Sequence, residues 1–230
     1  MKKLLRELVG VSLFKTLFVN FRVLPFKQAI KLPIIVSRHV KIDGALHKNA
    51  IVINGSVRPG CILFGIGGSR NLAVCRRKRS YLRINGKGRI VFEGTAHFAP
   101  NFTLLVDNAM MQIGSGFSCN NGCMFLCFEG MTFGTDCLFG RDVEIRDSDG
   151  HFILEPDEQG RFIEKINKKP VRIGNHVWLC TNVRILKGVE IDDDCVVAYS
   201  SICTKPIAGK GKLIAGYPAK VIKESIGWKK

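Results

Sequence analysis

No stretch of this chain approaches the ~20 consecutive apolar residues that a membrane span requires. Its start, Met1-Lys2-Lys3-Leu4-Leu5-Arg6, has the basic opening of an export leader. Arg6, Glu7 and Lys15 break the apolar run that would have to follow, so no leader is assigned. Both absences lead to the expectation of a soluble, cytoplasmic protein. Acidic residues are scarce, 19 against 35 Lys and Arg, and the net charge is +16. That excess attracts anions: nucleic acid, acidic lipid surfaces or phosphorylated small molecules. Paired C-x-x-C motifs are missing, and the nine cysteines are odd in number. A zinc knuckle and a disulfide framework are both disfavoured. Cys119, Cys123 and Cys127 are spaced so as to suggest a metal, yet the reading adopted is small buried hydrophobes in a reducing compartment. The 24 glycines follow no every-third rule, which excludes collagen.

What the chain does have is a repeat. From Ile173 it divides into sixes: IGNHVW, LCTNVR, ILKGVE, IDDDCV, VAYSSI, then CT. Ile173, Leu179, Ile185, Ile191, Val197 and Cys203 hold the first position; Val177, Val183, Val189, Cys195 and Ser201 hold the fifth. A helix of 3.6 residues per turn would scatter a six-residue period around its circumference. A coil of short strands, each sending one large aliphatic residue inward, fits it. Gly, Asn and Asp fall at the turns, where left-handed backbone is tolerated. Upstream, Ile84, Ile90 and Ala96 keep the spacing, as do Ile113 and Cys119, and then Phe133, Phe139 and Ile145 after an offset.

These positions divide the chain into an N-terminal helical cap (1–39), a coiled β domain (40–204) and a basic C-terminal extension (205–230). Two excursions interrupt the coil, at 69–81 with Arg76-Arg77-Lys78-Arg79, and at 152–170 with Pro156 and Gly160. A stacked coil extrudes such loops at little cost, because each rung touches only its neighbours. In the cap, Phe14, Leu17, Phe18 and Phe21 fall at helical spacing. The preferred reading is that they close the open end of the coil; the alternative is a helix on a membrane surface.

Three further segments complete the pattern: Ile145-Arg-Asp-Ser-Asp-Gly-His151, Pro170-Val-Arg-Ile-Gly-Asn-His-Val-Trp178-Leu, and Thr204-Lys205 followed by Ala215-Gly-Tyr-Pro-Ala-Lys-Val-Ile222. With the hexads, they make residues 40–222 resemble the hexapeptide-repeat acyltransferases. The closest resemblance is to the branch that O-acetylates sugars and bacterial surface polysaccharides. The resemblance implies an all-β fold, a left-handed parallel β-helix. It also implies acetyl-CoA as co-substrate without a metal, a sugar or polysaccharide acceptor, and a homotrimer with active sites between subunits. Cys180 and Tyr199 depart from the family's small residues.

Transfer of an acyl group from a thioester to a hydroxyl needs a base, and imidazole suits that role near neutral pH. Of five histidines (His39, His47, His97, His151, His176), His151 ends a rung and opens the long excursion. In an extended segment Asp147, Asp149 and His151 would share one face, and a carboxylate would fix the imidazole tautomer. His176 sits at a hexad turn and is expected to point to solvent. By resemblance, Asn120 and Asn121 contact the acceptor, with His97 as a further candidate. The carried-over coenzyme positions are Trp178, Thr181, Tyr199, Thr204, Lys205, Lys220 and Lys223, where lysines match the CoA phosphates.

Three other functions compete. A zinc enzyme on the same coil would need clustered histidines, and no H-x-x-x-x-H occurs. A nucleic-acid module would need aromatics interleaved with the basic run, and they are absent. Contact with anionic lipid at the inner face of the membrane is compatible with catalysis. Transfer to an amine, as in the nucleotide-sugar N-acyltransferases, uses the same base, and only the resemblance favours oxygen.

Overall fold

The computed structural model describes residues 10–67, 79–165 and 167–230. The chain winds repeatedly through three sheets. Sheet I stacks Ile34–Val36, Ile62–Phe64, Ala96–Phe98, Phe117–Cys119, Leu138–Phe139, Trp178–Leu179, Val196–Val197 and Leu213–Gly216 in parallel. Ala219–Lys223 closes that sheet antiparallel. Sheet II stacks Val40–Gly44, Ser80–Asn85, Thr103–Asp107, Met124–Cys127, Glu144–Arg146, Arg184–Ile185 and Ile202–Cys203. Sheet III stacks Ile51–Ile53, Arg89–Phe92, Met110–Ile113, Gly130–Phe133, Val171–Ile173 and Glu190–Ile191. Successive strands in the chain lie in successive sheets, which is the geometry of a parallel β-helix.

The hexad positions are the core. Ile173, Leu179, Ile185, Ile191, Val197 and Cys203 are buried, as are Val177, Val183, Val189, Cys195 and Ser201. Further up the coil, phenylalanine takes over the inward positions. Phe64, Phe98, Phe117 and Phe139 form a continuous column with ring centroids 5.1–5.3 Å apart. Such stacks fill the centre with little void and add edge-to-face attraction to area burial.

The turns are as close-packed as the core. A Cβ on Gly134 would lie 2.6 Å from the backbone nitrogen of Asn175 one coil further on. One on Gly114 would meet the backbone of Gly134 at 2.4 Å. Glycine is required here by close approach of successive coils. Gly134→Ala is therefore expected to lower stability by roughly 1–3 kcal/mol, read from the urea midpoint.

Boundaries differ from expectation at both ends. The coil begins at Ile34, because Ile34–Val36 already pairs with Ile62–Phe64. It continues past Cys203: Ile207 bridges in parallel to Ile191, and Leu213–Gly216 adds a further rung to sheet I. Ser80 and Tyr81, expected within the first excursion, open a strand. Of the basic run, Arg76, Arg77 and Lys78 lie outside the described residues.

The cap contains helix α1 (Leu13–Val23) and a single turn, α2 (Phe26–Ala29). Its orientation corrects the preferred reading. Phe14, Leu17, Phe18 and Phe21 face outward, while Thr16, Val19, Asn20 and Val23 are buried. An open strand edge needs hydrogen-bonding partners, which phenylalanine cannot supply. Asn20 supplies them by donating from Nδ2 to the Ile34 carbonyl (2.7 Å) and accepting from its N–H (3.1 Å). Thr16 Oγ1 accepts from the Val36 N–H at 3.1 Å.

Candidate active site

His151 stands at the mouth of the second excursion, which leaves the ridge between sheets II and III after Arg146. The excursion is held at its base. The Lys169 N–H donates to the Asp147 carbonyl and the Asp149 N–H to the Asn167 carbonyl, both at 2.9 Å. Beyond His151 it forms a hairpin of Leu154–Pro156 against Phe162–Glu164. Phe152, Ile153, Leu154, Phe162 and Ile163 are exposed along it. His151 is itself exposed, and among the described residues it has no hydrogen-bond or ion-pair partner.

The expected carboxylate partners are employed elsewhere. Asp147 is fully buried, and its oxygens accept from the N–H groups of Phe128 (2.8 Å), Glu129 (2.9 Å) and Gly130 (2.8 Å). Asp149 is ion-paired to Lys187 from the next coil. Gly150, at φ +82°, turns the backbone out of the extended state. The alternation that would have aligned Asp147, Asp149 and His151 therefore fails.

The remaining candidates occupy other parts of the coil. Asn120, Asn121, Thr181 and Tyr199 lie along the ridge between sheets I and II. Backbone bonds from Asp142 to Asn121, Asn182 to Arg141 and Ser200 to Thr181 stack that ridge. Asn121 is buried with no partner for its Oδ1 among the described residues, Asn120 is half-buried, and Tyr199 is exposed. Thr204 and Lys205 follow the last strand of sheet II, on the same ridge as Lys187 and the excursion. Lys220 and Lys223 are exposed on the final antiparallel strand. Within one chain, then, His151 and the Asn120–Thr181–Tyr199 row sit on different edges of the coil, with sheet II between them.

His97 lies on the outer face of sheet I, where Nε2 bonds the Ile66 carbonyl. It lines an open groove of about 560 Å³ with Arg58, Leu63, Thr95 and Ser118, away from His151. Trp178 is half-buried on the same sheet, its ring 5.8 Å from that of Trp228. His176 does not simply point to solvent. Its Nδ1 lies 2.9 Å from Asp194 Oδ1, and its ring stacks on Trp228 at 4.2 Å. The acidic turn Asp192-Asp193-Asp194 also gains a role. Asp192 accepts from the Gly209 N–H and Asp193 pairs with Lys210, which holds the Asp193 carboxyl below its usual range.

Seven of the eight described cysteines are buried. Burial pushes the Cys137 thiol up to about 11 and Cys203 to about 12. Burial, and then the Asp147 carboxylate, raise Cys127 further. Among the described residues no group of three or more His, Cys, Asp and Glu is placed to hold a metal.

No family model matches the chain. Individual proteins do. A polysialic acid O-acetyltransferase of Neisseria meningitidis is 36% identical over 159 residues, covering 67% of this chain and 71% of the relative. A polysialic acid O-acetyltransferase of Escherichia coli is 37% identical over 99 residues, 43% of this chain and 31% of the relative. Among solved structures, a polysialic-acid-specific acetyltransferase superposes with a TM-score of 0.51 at 24% identity, covering 85% of this chain and 89% of that one. The chain belongs to the hexapeptide-repeat sugar O-acetyltransferases. Its coil is accordingly the left-handed parallel β-helix.

For an O-acetyltransferase of this family, the structure adds residues that the spacing did not indicate. Lys187 engages Asp149 beside the excursion, and Trp228 covers His176 and Trp178. Both contacts join residues about 40 or more positions apart, and no local pattern marks them. The exposed apolar row on the hairpin was the one detectable signal, since Phe152-Ile153-Leu154 is an apolar triplet within a charged excursion.

Proposed function

We propose that the protein transfers an acetyl group from acetyl-CoA to a hydroxyl of a sugar, in bacterial surface polysaccharide, with His151 as general base. The observation that carries this reading is His151 itself: an exposed imidazole with no partner among the described residues, at the mouth of an excursion anchored by Asp147. The acceptor hydroxyl gives its proton to the imidazole as its oxygen attacks the thioester carbonyl. The carbon–sulfur bond then breaks, and the CoA sulfur leaves and takes up the proton. Asp149, paired with Lys187, and the buried Asp147 act by positioning the segment that carries His151.

A homotrimer accounts for the division of candidates between two edges. A second copy beside sheet II would bring its own ridge toward His151, and would cover the apolar row Phe152, Ile153, Leu154, Phe162 and Ile163. The acceptor candidates in that site are Asn120 and, more remotely, His97. The coenzyme would lie toward the C-terminal end of the coil. Thr181, Tyr199 and Trp178 would border its pantetheine arm, and Thr204, Lys205, Lys220 and Lys223 would meet its phosphates. We place the enzyme in the cytoplasm, at the inner face of the membrane.

Calorimetric titration of the full chain with acetyl-CoA tests the donor. Binding is expected for wild type, and Lys205→Ala with Lys220→Ala is expected to weaken it about 10- to 100-fold, since each lysine contributes one charge-assisted contact. Absence of binding to folded wild type would overturn the acetyl-CoA assignment. Transfer to amino sugars but not to neutral ones, in a panel of acceptors, would replace the hydroxyl with an amine.

A further inference from the structure

The cap helix is built inside out for a water-soluble end piece. Its buried face carries Thr16 and Asn20, which complete the hydrogen bonding of the first strand, alongside Val19 and Val23. Its outer face carries Leu13, Phe14, Leu17, Phe18 and Phe21, and the chain continues with exposed Phe26 and Ile30. Phe14 and Phe26 are 78% and 68% exposed, so this is an apolar surface and not a row of grazing contacts. The rings fall in two pairs on this face: Phe14 stacks on Phe18 at 6.4 Å, and Phe21 meets Phe26 at 6.0 Å. Isolated exposed apolar residues are ordinary, whereas a cluster of exposed aromatic and aliphatic side chains on one end of a protein marks a contact surface.

The charge around the band selects the occupant. Residues 10–42 contain six Lys and Arg and no Asp or Glu. Arg22, Lys27 and Lys31 are exposed beside the aromatics and are not ion-paired to any described residue. An apolar face fringed by unneutralised cations fits the boundary of an anionic bilayer. There the rings enter the acyl region while the long basic side chains reach back to the headgroups. A second copy of the same cap would bring like charges together.

We propose that the band Phe14–Phe18–Phe21–Phe26, with Arg22, Lys27 and Lys31, docks this end of the β-helix onto an anionic lipid bilayer. The proposal deepens the inner-face placement above, and its test reads lipid binding without acetyl transfer, so either can fail alone. Docked in this way, the coil stands on the membrane. The rung that carries His151 lies four inter-strand spacings above the first rung of sheet II, about 19 Å, beyond a helix about 10 Å thick. The site would then meet sugars well above the headgroups on a lipid-linked saccharide.

The test is co-sedimentation of the full chain with vesicles of phosphatidylcholine alone or mixed with phosphatidylglycerol, at low and high salt. Wild type is expected to pellet with the phosphatidylglycerol vesicles at low salt and to remain largely in solution with the neutral ones. Phe14→Ser combined with Phe18→Ser and Phe21→Ser is expected to reduce binding by more than about tenfold. Lys27→Ala with Lys31→Ala is expected to reduce it at low salt only. All of these side chains are exposed, and unchanged thermal unfolding would show that the fold survives; Phe14→Ser alone is the milder variant. Wild type left in solution, or the aromatic variant pelleting like wild type, would overturn the proposal. So would an assembly size that drops with the aromatic variant in the absence of lipid, which would assign the band to a second copy.

Discussion

His151→Ala is expected to reduce turnover by about 10²–10⁴-fold while leaving acetyl-CoA affinity nearly unchanged. The expectation separates two roles that the residue could have at the mouth of the excursion. A base acts on the acceptor proton in the transition state, so its removal lowers kcat and leaves the coenzyme's contacts alone. A histidine that merely shaped the loop would alter binding or stability instead. His151 makes no hydrogen bond or ion pair to a described residue, so truncation should leave the melting temperature where it was. Measuring kcat, acetyl-CoA affinity and Tm on the same preparation decides the matter. An alanine variant with wild-type turnover would remove His151 from the chemistry.

Asp147→Ala should act in the opposite way, through the fold. The buried carboxylate gathers three backbone N–H groups at the turn Phe128–Gly130, while the Asp147 backbone carbonyl, which alanine retains, accepts from Lys169 at the return of the excursion. Alanine would take the acceptor from three part-buried donors, each at a cost of about 1–3 kcal/mol. A total loss of about 3 kcal/mol or more is expected, large against the margin of a typical domain. Asp147→Asn should fall between the two. Its one remaining carbonyl oxygen can keep the Glu129 and Gly130 bonds, which wild type makes to a single oxygen, while the Phe128 N–H loses its acceptor. Urea midpoints for the three proteins test this ranking. If Asp147→Ala kept its stability yet lost turnover as His151→Ala does, the aspartate would belong to the catalytic pair after all.

The two aspartates show where local pattern stops informing. Alternation along an extended strand placed Asp147, Asp149 and His151 on one face, and that inference held only while the backbone stayed extended. A single left-handed residue, Gly150, cancels it. The three donors around Asp147 come from a turn 17–19 residues earlier, one coil away in space. Lys187 reaches Asp149 from 38 residues later, again from the adjacent coil. The cap repeats the lesson at larger scale. The spacing of Phe14, Leu17, Phe18 and Phe21 identified a helix and its stripe. Which side of that helix met the protein was settled by the unpaired edge of Ile34–Val36, which required Asn20 and Thr16.

What the sequence by itself determined was the coil. The six-residue period selects strands over helices, and one inward residue per strand is a local property that survives translation from rung to rung. Every first-position and fifth-position residue of the C-terminal hexads is buried for that reason. The likeness to O-acetyltransferases was legible too, since its three motifs are short and contiguous. Only the tertiary structure decided which candidates share an edge, which carboxylates are already committed, and which face of the cap looks outward. Those are relations between coils. Residues in neighbouring rungs touch because of accumulated winding and extruded loops, and a local pattern carries no record of either.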